Sequence, residues 1–240
     1  MELLGKHIIA VQQTIIVNIM TRSFISWATL SGLAVFSTLT ALGQGTGFYV
    51  KGGIGPAFTE KTALREFNAP LSGVKVKFDP GFQFRVAAGY QITDWVATEL
   101  ETGVSYNTIK SIPGATELDG SLANVPVLAN VVLQCPKWNR FVPFIGGGAG
   151  MASAVLTADD ITLNGNRLHG TQSDAVFAYH GFAGLKYQIN DRMDVSLAYR
   201  YFGTTSPEWK ADVIFGGGTG KTRFGDDKTH SVTAAFSYRF

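Results

Sequence analysis

Eight charged side chains recur among alternating apolar residues: Lys51, Arg85, Glu99, Glu101, Lys186, Asp194, Arg200 and Arg239. Brought onto one buried surface, such carboxylates and cations must pair, because an isolated buried charge costs several kcal/mol. Glu99 and Glu101 are expected to meet Arg85, Arg200, Lys186 or Arg239. The sharper alternative for the same set is a proton or ion path. His180 stands among these residues and offers a general base, with Ser196 or Ser237 as nucleophile and Glu99 as orienting acid. Catalysis by such a set needs all three within hydrogen-bond reach. Phe215–Gly216–Gly217–Gly218–Thr219–Gly220–Lys221–Thr222 resembles a phosphate loop, but position 215 is Phe and no helical pattern follows, so a flexible loop is expected. His169, His180 and His230 match no metal-ligand spacing, and no cofactor motif is present. Cys135, the single cysteine, rules out an internal disulfide.

The elements that would carry these side chains have a period of two from Gly47 onward. Strands are predicted at 47–59, 78–91, 95–109, 119–134, 140–155, 173–189, 192–204 and 228–240. In the last, Val232, Ala234, Phe236, Tyr238 and Phe240 share one face and Thr233, Ala235, Ser237 and Arg239 the other. The connections alternate in length. Residues 92–94, 135–139 and 190–191 read as short turns, and 60–77, 110–118, 156–172 and 205–227 as long loops. Tight turns at one rim and long loops at the other are what an up-and-down barrel with both termini on one side produces.

Of 240 residues, 28 are glycine, 12% aromatic and 16% charged, which disfavours a helical bundle. A formal charge of +2 gives no argument for nucleic acid. Residues 24–50 carry no charge and follow Met20–Thr21–Arg22–Ser23. With small residues at Ala41 and Gly43 before Gln44, this reads as a cleaved signal peptide. Residues 1–43 are accordingly assigned to an upstream extension and leader, with Met20 an alternative start, and 44–240 to the barrel.

Alternation alone does not say which face meets solvent. A membrane barrel turns its apolar face outward. Three features favour that arrangement: charges that can pair across a narrow lumen, the leader, and aromatic residues at strand ends. Tyr90, Trp95, Tyr187, Tyr238 and Phe240 fall towards one rim, and Phe58, Tyr106, Tyr201 and Phe202 towards the other. The expected fold is therefore all-β, an eight-stranded antiparallel up-and-down transmembrane barrel.

Phe144–Ile145–Gly146–Gly147–Gly148–Ala149–Gly150 after Arg140–Phe141–Val142–Pro143, the run Ala198–Tyr199–Arg200–Tyr201, and the ending Phe236–Ser237–Tyr238–Arg239–Phe240 carry a family resemblance. They resemble the eight-stranded bacterial outer-membrane barrels, namely OmpA-like transmembrane domains and opacity-type surface proteins. The resemblance implies a Gram-negative outer-membrane location with periplasmic termini. It also implies that Phe236, Tyr238 and Phe240 form the signal read by the barrel-assembly machinery. Outer-membrane lipid is then a partner. The expected role is a monomeric, non-enzymatic scaffold displaying loops 60–77, 156–172 and 205–227 to an extracellular ligand. The tips Leu64, Phe67, Ile161, Trp209 and Phe215 supply apolar contacts. A narrow pore or carrier for small molecules is one alternative. A lipid-modifying enzyme is the other.

Overall fold

Side chains alternate between buried and exposed along each long strand, as the period-two pattern dictates. The computed structural model describes residues 47–67, 70–135, 138–163, 166–211 and 220–240. Its strands are β1 (Phe48–Thr59), β2 (Thr62–Phe67), β3 (Lys75–Phe78), β4 (Gly81–Thr93), β5 (Val96–Ser111) and β6 (Ala115–Gln134). They continue with β7 (Phe141–Leu163), β8 (Asn166–Gln188), β9 (Met193–Thr204), β10 (Glu208–Ala211), β11 (Gly220–Phe224) and β12 (Asp227–Arg239). The expected leader and the expected cleavage residues Ala41, Gly43 and Gln44 lie outside the described residues, as do Phe215 and the following Gly216–Thr219.

Eight strands close a barrel in the order β1-β4-β5-β6-β7-β8-β9-β12, every neighbour antiparallel. The seam joins first to last: Tyr49 lies opposite Arg239 and Gly53 opposite Ala235. Closure leaves no open edge, as hydrocarbon requires of a sheet. The face turned outward is apolar. Ile54, Phe84, Leu100, Val131, Ile145, Leu185, Leu197 and Phe236 are all exposed, while Gln83, Arg85, Glu99, Glu101, Asn130, His180 and Arg200 are buried.

Two of the expected long loops are not loops. Residues 110–118 reduce to a turn between β5 and β6, with Gly114 at φ 87°. Residues 156–172 are mostly strand, because β7 and β8 stay paired as far as Leu163 opposite Asn166. Loops 60–77 and 205–227 also contain strands. β2 follows β1 after Glu60–Lys61, β3 precedes β4 across Asp79–Pro80, β10 follows β9 across Thr205–Ser206–Pro207, and β11 precedes β12 across Gly225–Asp226. Proline at two of these breaks has no N–H to give a ladder. The short strands pair in the order β10-β11-β2-β3 and join β5 through β3. Together with the long ends of β5–β8 they build a second storey above the membrane barrel.

That storey has an ordinary apolar interior. Leu64, Phe67 and Val76 from the first loop and Trp209 and Phe224 from the fourth pack with Ile109, Leu122, Leu156, Ile161 and Val176. Leu64, Phe67, Ile161 and Trp209 are therefore core residues, not contact groups at loop tips; each is at least 96% buried. Hydrophobic burial follows the solvent: apolar groups face out where the surroundings are lipid and in where they are water.

Candidate functional site

The lumen between the rims is lined by the inward face of the barrel strands, and its charges sort into layers. In the middle layer Arg200, on β9, grips Glu101, on β5, with both ends of its guanidinium: Nη1 to Oε1 at 2.6 Å and Nη2 to Oε2 at 2.9 Å. Arg85, on β4, approaches the same carboxylate more loosely, Nε 4.0 Å from Oε1, and donates Nη2 to Ser105 Oγ at 2.8 Å. The two guanidinium groups lie over aromatic rings, Arg200 4.8 Å from the centre of Phe182 and Arg85 5.5 Å from that of Phe202. Phe202 therefore faces the lumen, 1% exposed, and takes no part in an aromatic girdle.

The layer towards the short turns joins Lys51, on β1, to Glu99, Nζ lying 2.5 and 2.7 Å from the two carboxylate oxygens. Tyr49 donates its hydroxyl to Glu99 Oε1 at 2.8 Å. Glu99 thus takes Lys51 as partner, a residue outside the four cations expected for it, because β1 and β5 flank β4 and the register sets Lys51 and Glu99 on either side of it. Lys186 and Asp194 pair at 3.8 Å, with Lys186 also donating to Gln134 Oε1 at 3.4 Å. Arg239 sits half-buried at the end of β12, outside these clusters.

The cross-lumen bonds depend on two glycines, Gly89 on β4 and Gly148 on β7, of which only Gly148 belongs to a run that carries the family resemblance. Tyr49, Gly89 and Glu99 are in register on adjacent strands, and so are Asn130, Gly148 and His180. Each outer pair bonds across the strand between them: Tyr49 to Glu99, and His180 Nε2 to Asn130 Oδ1 at 2.8 Å. A Cβ on Gly148 would stand 2.0 Å from Asn130 Oδ1, and one on Gly89 2.3 Å from the Tyr49 ring. The bare backbone of the middle strand is the passage for the bond.

His180 is not assembled as a catalytic base. Its Nδ1 accepts from Arg200 Nη1 and its Nε2 donates to Asn130, so both ring nitrogens are engaged. Ser196 is paired in register with Lys186 and Ser237 with Lys51, both away from His180, which lies opposite Phe202. Glu99 is held by Lys51 and Tyr49. Among the described residues no group of three His, Cys, Asp or Glu side chains is placed to hold a metal ion.

At the mouth, the Trp209 indole N–H donates to the Ala154 carbonyl on the inner face of β7 at 3.0 Å, and its ring meets Phe224 edge-on at 5.0 Å. Below it Asp227 accepts from Asn124 Nδ2 at 2.7 Å, and Gln83 donates to Ser231 at 2.8 Å and Thr233 at 2.5 Å. On the outer face, aromatic pairs mark two levels. Phe48–Tyr90 and Phe141–Tyr187 stand at the short-turn rim, and Phe82–Tyr106 and Tyr179–Tyr201 towards the other. Such girdles flank the apolar band of membrane barrels.

A closed barrel with its apolar face outward agrees with the match of residues 28–240 to the family model for the outer membrane protein β-barrel domain. The chain belongs to the outer-membrane β-barrel family. Its place is therefore the bacterial outer membrane. An uncharacterized protein of Brucella abortus (strain 2308) is 26% identical over 192 residues, covering 65% of this chain and 67% of its own length. Among solved barrels of the same fold, OprG from Pseudomonas aeruginosa is 17% identical, covers 82% of this chain and 99% of its own, and superposes with a TM-score of 0.56. The outer membrane protease OmpT from Escherichia coli is 8% identical, covers 80% and 96%, and has a TM-score of 0.53. These likenesses establish the fold, and the fold is shared by a protease and by proteins with no enzyme name.

Proposed function

We propose that this member of the family is a closed, non-enzymatic barrel that acts as an envelope scaffold and presents its upper storey for contact outside the cell. Plugging of the lumen at two levels supports this reading: the Glu101–Arg200 and Glu99–Lys51 layers below, and the apolar cluster around Trp209 above. The contact surface is then the outside of β2, β3, β10 and β11 with the projecting β7–β8 hairpin, rather than mobile loop tips. β7 and β8 have 23 residues each, roughly twice the 9–11 that cross an apolar band. In this reading residues 1–43 are a leader, both ends of the barrel face the periplasm, and Phe236, Tyr238 and Phe240 are the assembly signal.

Planar-bilayer recordings test the closed lumen. The purified barrel is expected to show no steady conductance, and a persistent open channel would overturn the scaffold in favour of the pore. Cysteines placed at Thr171 and Asn190, in a Cys135→Ser background, test the orientation in intact cells. An impermeant maleimide should reach position 171 and not position 190.

A further inference from the structure

Among the described residues, Arg85 is the surplus charge of the middle layer of the lumen. Both oxygens of Glu101 are taken by Arg200, and both oxygens of Glu99 by Lys51. Lys186 is matched by Asp194. Arg85 is left with one hydrogen bond, to Ser105, and a carboxylate 4.0 Å away that is already committed. Its side chain is 4% exposed, and its Nε and Nη1 have no hydrogen-bond partner; nor has Nε of Arg200. A buried N–H left unpaired keeps the full cost of its lost hydration, and the cost is greater when the group is charged.

These donors border one cavity. A space of about 30 Å³ has Lys51, Arg85, Glu101, Arg200, Ser196 and Thr233 as the polar part of its lining, the rest being glycine and apolar residues. A single water requires only about 10–15 Å³ on the same measure. Donors are in excess on its walls. The Thr233 hydroxyl accepts from Gln83, which leaves its own hydrogen to donate. The carboxylate on the wall, Glu101, has its strongest acceptor positions filled by Arg200. A water would satisfy some of these donors but would leave the net positive charge of the layer uncompensated. A divalent oxyanion would exceed both the charge and the space.

We propose that this lumen cavity is a binding site for a small monovalent anion of about chloride's size, held by the Arg85 guanidinium with help from the Thr233 hydroxyl. The anion completes the electroneutrality of the plug.

Bromide is the probe. The barrel, refolded in detergent and crystallised from sodium bromide, is expected to show an anomalous bromine peak in the cavity beside Arg85. Arg85→Gln, which removes the surplus charge, should lose that peak. A wild-type cavity holding only water, or an equal peak in Arg85→Gln, would overturn the proposal. A second measurement needs no variant. At constant ionic strength, the thermal unfolding midpoint of the wild-type barrel should rise as chloride replaces gluconate, which is too large for the cavity. A midpoint indifferent to that exchange would count equally against the site.

Discussion

Glu101 is the residue on which the middle of the lumen turns, because it accepts both hydrogen bonds of Arg200 and is the carboxylate that Arg85 approaches at 4.0 Å. Its side chain is fully buried and so is that of His180, which lies 3.7 Å from it. Replacing Glu101 by Ala leaves Arg200 and Arg85 without their carboxylate in a space that water reaches poorly. A loss of about 3–5 kcal/mol is expected from removing one partner of a buried pair. Urea unfolding of the barrel in lipid vesicles, followed by gel mobility without boiling, measures it. Replacing Glu101 and Arg200 together by apolar residues should cost less than Glu101→Ala alone, since no unpaired partner of Arg200 remains. The eight charges were readable as one polar face, since alternation is a local property of a strand. Their partners were not. Glu99 meets Lys51 across the intervening β4, through the register of three neighbouring strands, a relation between residues 48 positions apart.

The glycine-rich β7 and the folded-over loops belong to the scale of elements. Gly148→Ala puts a methyl group into the path between His180 and Asn130, and overpacking of this kind costs about 1–3 kcal/mol. Gly52→Ala in β1, where a Cβ would meet nothing within 4 Å, should stay within about 0.5 kcal/mol of wild type. The same unfolding assay run on the two variants separates a steric role for Gly148 from a general effect of losing glycine. Trp209→Ala removes the centre of the upper storey and should destabilise it by about 3–5 kcal/mol. Limited proteolysis should then cut between β9 and β12 while β1 and β4–β9 stay protected. If cleavage is no faster than in wild type, Trp209 is not what holds the fourth loop down. Turn residues and interrupted alternation made these segments look like loops, yet they hold strands, and beyond the local pairs β2–β3 and β10–β11 they are joined by β11 on β2 of the other connection and β3 on the barrel strand β5. Pairing across such distances leaves no trace in a short window of sequence.

At the scale of the molecule, two solvents divide one chain. The membrane part carries its polar groups inside and the upper storey carries its apolar groups inside, and the strands β5–β8 run through both. Closed plugs at two levels lead to the expectation of a silent barrel in bilayer recordings, and loosening one level alone, as in Trp209→Ala, should still give no steady conductance because the ion-pair layer remains. Opening in that variant would show that the apolar storey is the only barrier. Period-two alternation, the eight barrel strands and the sharing of faces could all be read along the chain, because backbone geometry sends successive side chains to opposite sides whatever the surroundings, whereas β2, β3, β10 and β11 could not. Which cation met which carboxylate, and that the first and fourth loops complete a second core, emerged only with closure. Those are properties of strands brought together from distant parts of the chain, where register, shear and solvent, rather than local preference, set the outcome.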